Sequence, residues 1–443
     1  MTVSNVSESM KNSDSKVMNR WLVATMGTLL QVCLGTVYAW SFFQKPIMTV
    51  YGWNNTQVAW IFSIAICSLG LAAWWGGVNL PKFGPTKLAM AGATLYGVGF
   101  MLSALAMQQK SLVLFYIAFG VIGGIGLGLG YVTPVATSAK WFPDKKGFVT
   151  GMVVMGFGLG ALFMSKLLAP ILMKSFDNNL IQVFLLIGVV MLVLGAIAGS
   201  FMRNPPENYV PAGYTPPAGS SSSKAADEAI TAKDCILSRQ FITMWLFFVA
   251  NITAGIMFIG FQSPMLQDIL KATSKYTGMD AAAAKTALAA AGATLIAISS
   301  LFNGLGRFFW GGLSDKIGRV NTFRLILASQ IFVFVALMFI KSPWIFGALV
   351  CYVLLCYGGG FGTAPSTIMT IFGARLMAVV YGAMLTAWSM GGILGPQIVA
   401  TIKDKFPDHA SKYTFTTGAI ILAIGFVLTF LVSDKLYAKA EQE

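Results

Sequence analysis

Twelve apolar runs, each about 20 residues long, follow one another along this chain with only short polar or charged breaks between them. A run of that length crosses the hydrocarbon of a bilayer as a helix, because its backbone groups can find hydrogen-bond partners only within the segment. The runs centre near Leu30, Ile66, Val98, Ile122, Gly160, Val190, Ile252, Leu295, Phe332, Leu354, Trp388 and Ile424. They are continuous, without the period-two alternation of a membrane β-barrel. The expected fold class is all-α integral membrane, with twelve transmembrane helices. Only 10% of the residues are charged, against roughly 25% in a soluble domain.

The formal charge of +14 raises the question of nucleic acid. Its 30 Lys and Arg residues are spread over the breaks and form no cluster that would track a groove, so no nucleic-acid partner is expected. Membrane orientation explains the excess better. With the amino terminus inside, 18 of the 30 fall in cytoplasmic segments and 10 in outer ones, leaving Lys166 and Arg307 within spans. The positive-inside rule then puts the amino terminus, the central loop and the carboxyl tail in the cytoplasm. The expected location is the cell (inner) membrane, multi-pass, with both termini cytoplasmic. The first 20 residues are polar and lead into a full-length run, and read as a tail instead of a cleaved signal peptide.

Midway lies RNPPENYVPAGYTPPAGSSSSKAADEAITAKDC, Arg203 to Cys235, too rich in Pro, Gly and Ser to bury much apolar surface. The expected organisation is a cytoplasmic tail over 1–20, a six-helix bundle over 21–202, a cytoplasmic linker over 203–238, a second six-helix bundle over 239–434 and a cytoplasmic tail over 435–443. The halves echo each other. Gly35-x-x-Tyr38 recurs as Gly255-x-x-Phe258, and Gly130-Tyr131 with Pro134 recurs as Gly360-Phe361 with Pro365. Gly77-VNL-Pro81-Lys82-Phe83-Gly84 recurs as Gly311-GLS-Asp315-Lys316-Ile317-Gly318-Arg319. Parallel repeats on either side of a linker are the layout of alternating-access carriers, whose site lies near the midplane between the halves.

The GGLSDKIGR stretch resembles the loop motif of the major facilitator superfamily. WFPDKKG, Trp141 to Gly147, resembles the corresponding loop of the oxalate and formate antiporter family and its monocarboxylate-carrying relatives. The likeness spans essentially all twelve runs. It implies the major facilitator fold, two pseudo-symmetric six-helix bundles, with Gly311, Asp315, Lys316, Gly318 and Arg319 as a motif of the conformational cycle. The first copy has Pro81 where the superfamily usually has aspartate, so a charge relay is not expected in that half.

Arg307 is the residue that points to a function. None of the 16 Asp and Glu residues falls inside an apolar run, so no protein carboxylate stands ready to pair with it. An unpaired guanidinium at membrane depth costs several kcal/mol or more and normally faces a protein interior or a cavity where an anion can meet it. Binding to helix-end carbonyls or to headgroups is the alternative. Ser300, Asn303 and Arg307 follow at i, i+3 and i+7, one helical face that should point into the cavity. Guanidinium offers a planar fork for both oxygens of a carboxylate, and the resemblance implies this role for the arginine of NGLGR. Asn303 would orient that fork or bond a substrate hydroxyl or keto oxygen, or else pack as an interhelical amide. Tyr38 and Tyr131 stand where the related carriers place cavity tyrosines. Tyr357 and Phe361 lie one turn apart on one face.

Trp388 bears on charge. Dicarboxylate-handling members of the antiporter family place a lysine seven residues after a Tyr-Gly pair in the eleventh span; Tyr381-Gly382 is present here, but the position holds Trp388. A dianion would meet one fixed cation, and a second carboxylate left unpaired in a dry site costs several kcal/mol. The expectation is a small monocarboxylate such as lactate, pyruvate, acetate or formate. Lys166 lies about 30 Å from Lys146 by helical rise and should snorkel to the outer face.

Proton-linked symport is the favoured cycle, with anion exchange of the oxalate/formate type and a non-transporting sensor as alternatives. Where eukaryotic monocarboxylate carriers have a proton-holding aspartate one turn before the arginine, this chain has Asn303. A monomer is expected. Glycine spacings in VIGGIGLGLGY and VMGFGLGALF follow no strand, so they do not mark a dinucleotide site; they suit close helix approach. Pro396 is expected to kink the eleventh span, and His409 falls in the last outer loop, far from the cavity. No zinc motif, nucleophile elbow or paired carboxylate suggests an enzyme. Cys33, Cys67, Cys235, Cys351 and Cys356 show no ligand spacing, and no cofactor is expected.

Overall fold

The computed structural model describes residues 18–206, 209–211, 231–271, 273, 278–373, 376–433 and 435. The expected amino-terminal tail, the middle of the linker and most of the carboxyl tail lie outside the described residues. Among those described, the chain is helical throughout, with no strand. Eleven helices are long and apolar enough to cross a membrane: Arg20–Tyr51, Asn55–Phe83, Pro85–Gln108, Leu112–Trp141, Phe148–Ser175, Leu180–Ser200, Arg239–Lys271, Ala281–Ile317, Arg319–Leu337, Pro343–Phe372 and Pro407–Leu431. These are spans one to ten and twelve.

The eleventh crossing is two helices, Met377–Met384 and Thr386–Lys405. Neither reaches the length and apolarity of a continuous span, because the first is short and the second carries Gln397, Lys403, Asp404 and Lys405. The interruption falls at Leu385, whose amide bonds the carbonyls of both Tyr381 and Gly382. Pro396, where the sequence leads one to expect a kink, lies further on, inside the second helix.

Glycines set how closely the helices approach. A Cβ at Gly128 would lie 2.3 Å from the Leu69 carbonyl oxygen, locking span four against span two. In the other half a Cβ at Gly306 would lie 2.0 Å from the Leu355 carbonyl oxygen, joining span eight to span ten. The repeated Gly130 and Gly360 instead make room for side chains, those of Leu34 of span one and Asn251 of span seven, whereas Gly128 and Gly306 meet backbone. Such backbone-to-backbone contact suits membrane helices, which gain little from burying apolar side chains against one another.

The repeated loops share a backbone feature. Gly84 has φ +78° and Gly318 φ +93°, a left-handed region that favours glycine. In the second copy Asp315 pairs with Arg319, whose guanidinium also donates to Ser314. Lys316 is exposed. Gly311 sits under Ser314, whose hydroxyl donates to the Gly311 carbonyl at 2.6 Å. The WFPDKKG loop is tied down as well: Arg20 pairs with Asp144 at 2.8 Å, and Trp141 Nε1 donates to the Arg203 carbonyl at 2.7 Å.

Between the halves, span two packs along the eleventh crossing and span five along span eight. One face of the molecule carries residue 18 and both ends of the linker; the other is called the far face. There Asp268 of span seven receives Lys45 of span one at 2.8 Å and Lys403 at 2.6 Å. Asp404 reaches the start of span two, taking the Thr56 amide at 2.8 Å and hydroxyl at 2.6 Å and the Asn55 side chain at 2.8 Å. A carboxylate is favoured at a helix N-terminus, where unsatisfied N–H groups point outward.

Candidate functional site

Arg307 is 4% exposed, and its Nε, Nη1 and Nη2 all lack a hydrogen-bond partner among the described residues. Burial without pairing is costly for any polar group and most of all for a cation. The guanidinium instead faces aromatic rings: Cζ lies 5.6 Å from the centre of Phe361. Spans eight and ten meet closely here, since a Cβ at Gly362 would be 2.5 Å from the Arg307 carbonyl oxygen. That contact fixes the Arg307 backbone, and the side chain leans toward the helix N-terminus.

The residues expected to line the site converge. Trp388 is the hub, with ring-centre distances of 4.7 Å to Phe361, 5.1 Å to Tyr131 and 6.3 Å to Tyr38. Tyr357 packs on Phe361 at 5.1 Å, and its hydroxyl meets that of Tyr38 at 2.5 Å. This bond joins span one to span ten, hence one half to the other. Tyr131 Oη and Trp388 Nε1 are buried without partners among the described residues, as is Asn303 Oδ1. A site walled by rings with a few convergent polar groups has the character of a small-ligand pocket.

Three features were not anticipated. Phe157 of span five completes the ring, at 5.0 Å from Tyr38, 5.2 Å from Tyr131 and 5.6 Å from Trp388. Its signal was an aromatic set between Gly156 and Gly158, in a stretch read only for its glycines. Tyr381, half-buried on the first helix of the eleventh crossing, lies within electrostatic reach of Arg307 and Tyr131. Ser300, expected to face the cavity with Asn303 and Arg307, instead spends its hydroxyl on the Gly158 carbonyl of span five and accepts the Leu162 amide at 3.2 Å. Lys166 is exposed and donates to Thr294 at 2.5 Å, and His409 is exposed at the end of the single helical turn Pro407–His409.

Residues 25–396 match the Major Facilitator Superfamily, and the chain belongs to that family. It is a multi-pass membrane transporter of the major facilitator fold. Among characterised relatives, it is 24% identical over 422 residues to the oxalate:formate antiporter of Oxalobacter formigenes, covering 94% of this chain and 92% of that protein. It is also 24% identical over 491 residues to apicoplast pyruvate carrier 1 of Toxoplasma gondii, covering 90% and 85%. A bacterial homologue of the human lysosomal transporter Spinster, solved inward-facing and unoccupied, superposes with a TM-score of 0.63 at 17% identity. The match covers 93% of this chain and 96% of that one, a likeness of fold.

Proposed function

We propose that this protein is a secondary active transporter of small monocarboxylates, of the size of lactate, pyruvate, acetate or formate, working by alternating access. The observation that carries the reading is Arg307, buried among rings with every guanidinium nitrogen unpaired. A carboxylate supplies the missing charge and accepts a bidentate pair of hydrogen bonds. Tyr38, Tyr131, Tyr357, Phe361 and Trp388 exclude water around that pair and limit the length of the guest, and Asn303 contributes a polar contact one turn away. The names of the relatives, an oxalate:formate antiporter and a pyruvate carrier, support a carboxylate substrate.

Trp388 supports a monoanion. It stands against Phe361 in the wall of the site and brings no second cation. A dianion would keep one charge unpaired in a dry cavity, at a cost of several kcal/mol.

The cycle proposed is proton-linked symport. With Asn303 in place of an acid, the proton travels with the substrate carboxyl group, whose oxygens satisfy the guanidinium donors, and the two bundles close over the loaded site. The bundles are residues 21–202 and 239–434, joined by a cytoplasmic linker over 203–238, in the inner membrane with both termini cytoplasmic. The GGLSDKIGR motif, with Asp315 and Arg319 paired across Ser314, steadies the cytoplasmic end of span eight during the exchange of states. The protein works as a monomer. Purified protein in liposomes, given labelled lactate, pyruvate, acetate, formate and oxalate with and without an inward proton gradient, tests this reading. Monocarboxylate uptake driven by the gradient supports it; exchange indifferent to the gradient replaces symport with antiport.

A further inference from the structure

Span eight meets span five backbone to backbone on the far side of Arg307. A Cβ at Gly158 of span five would lie 3.0 Å from the Gly304 Cα of span eight, and this approach brings Ser300, one turn away, within reach of span five's main chain. Ser300 is 4% exposed and stands seven residues from Arg307, about 10 Å nearer the far face. Its hydroxyl donates to the Gly158 carbonyl and accepts the Leu162 amide at 3.2 Å.

Those two groups are four residues apart, the pair that an uninterrupted α-helix joins directly. A serine of the second half thus bridges one rung of a hydrogen-bond ladder in the first half. Within a helix a serine hydroxyl usually bonds a carbonyl three or four residues back, as Ser299 does with Ile296 at 3.1 Å. Ser300 reaches across to the other half instead. Just beyond the bridged rung, span five leaves the α pattern: Met164–Leu168 is a π turn, with the Ala169 amide taking the Met164 carbonyl five residues back. Turns of that kind are rare and gather at functional sites. Lys166, within this one, makes the second tie to span eight through Thr294.

The bridge lies across the way from the site to the far face. Ser300 and Gly158 line a small void with Tyr38, Ile259, Ile296 and Leu354, and it has room for about one water molecule. A three-carbon acid cannot pass there while the two helices stay joined. Parting them leaves no buried backbone group unmet, because the Leu162 amide and the Gly158 carbonyl then join each other and the hydroxyl turns to water entering the gap.

We propose that Ser300 is the latch of the gate between the substrate site and the far face, holding span five by its main chain and releasing it whenever that face opens. The latch rests on alternating access and not on which acid is carried.

The test is the rate at which a thiol in the void meets water. Ile259→Cys places one there, at a position 1% exposed. Its reaction with an impermeant maleimide, added on one face at a time to oriented membrane vesicles, is read at that residue by mass spectrometry. Ser300→Ala is expected to speed labelling from the far face about three- to tenfold, the ratio for loss of about one net buried hydrogen bond, with no matching rise from the linker face. Ser300→Thr, which keeps the hydroxyl, should stay within about twofold of its parent. An unchanged far-face rate in Ser300→Ala, a threonine variant as fast as the alanine one, or an equal rise from both faces overturns the latch. If Ser300→Ala fails to fold, Ser300→Thr and Ser300→Val decide, since they share a shape and differ in the hydroxyl: faster labelling of the valine variant supports the latch, and equal rates overturn it. No substrate enters the measurement, so a failure to carry monocarboxylates would overturn the proposed function and leave this result standing.

Discussion

The hydroxyl oxygens of Tyr38 and Tyr357 lie 2.5 Å apart and tie span one of the first half to span ten of the second. Both residues are at most 2% exposed. The bond sits beside Arg307 and bridges the two bodies that must separate for a site between them to open. A buried hydrogen bond contributes about 1 kcal/mol net, so removing it should change opening measurably without unfolding the protein.

Tyr38→Phe and Tyr357→Phe should each speed exchange of a bound acid about two- to tenfold and weaken its binding. The double variant should add little to either single one, because both remove one bond. Single-turnover efflux from preloaded liposomes checks this; additive effects would show that the hydroxyls act separately.

Trp388→Lys should raise oxalate uptake relative to lactate or acetate by about tenfold, since a second cation then meets the second carboxylate. Competition between labelled oxalate and unlabelled monocarboxylates measures the ratio. No change in it would contradict the argument from charge.

On the far face, Asp268→Asn leaves Lys45 and Lys403 facing each other without their shared carboxylate, and Asp404→Asn removes the anion from the start of span two. Partly exposed pairs contribute about 0.5–1 kcal/mol each, so each variant should open the far face several-fold more often. A cysteine introduced by Ser63→Cys, beneath Gln397, should react correspondingly faster with an impermeant maleimide. High salt should raise the unmodified protein's rate toward that of the variants.

Gly306→Ala puts a methyl group into the Leu355 backbone, where the approach would be 2.0 Å. Span eight must then move off span ten, at about 1–3 kcal/mol. The Tm in detergent should fall by several degrees, whereas Gly312→Ala, with open space around it, should leave Tm nearly unchanged.

Much of this arrangement was legible along the chain. A cation within an apolar run has few physically acceptable surroundings, which is why Arg307 pointed to the candidate site. The repeated glycines marked equivalent helix contacts because only glycine permits such approach. Tyr38, Tyr131 and Trp388 were found through motif positions and Tyr357 and Phe361 through their one-turn spacing, and they meet around one ring cluster. What escaped notice depends on distant parts of the chain coming together. Phe157 looks like packing until Trp388 is placed beside it. The break at Leu385 gave no sign either, because it comes where the hydrogen bonding tightens after Tyr381, with no proline beside it. Asp404 gave no sign of reaching the helix start at Thr56, 348 residues away.

The most direct measurement is binding and uptake by Arg307→Gln and Arg307→Lys. The glutamine variant keeps hydrogen-bonding capacity and some length but removes the charge, and should abolish uptake of every monocarboxylate while remaining folded. The lysine variant keeps the charge without the planar fork and should retain a small fraction of the wild-type rate. Normal uptake by the glutamine variant would show that the buried guanidinium is not where the anion is held.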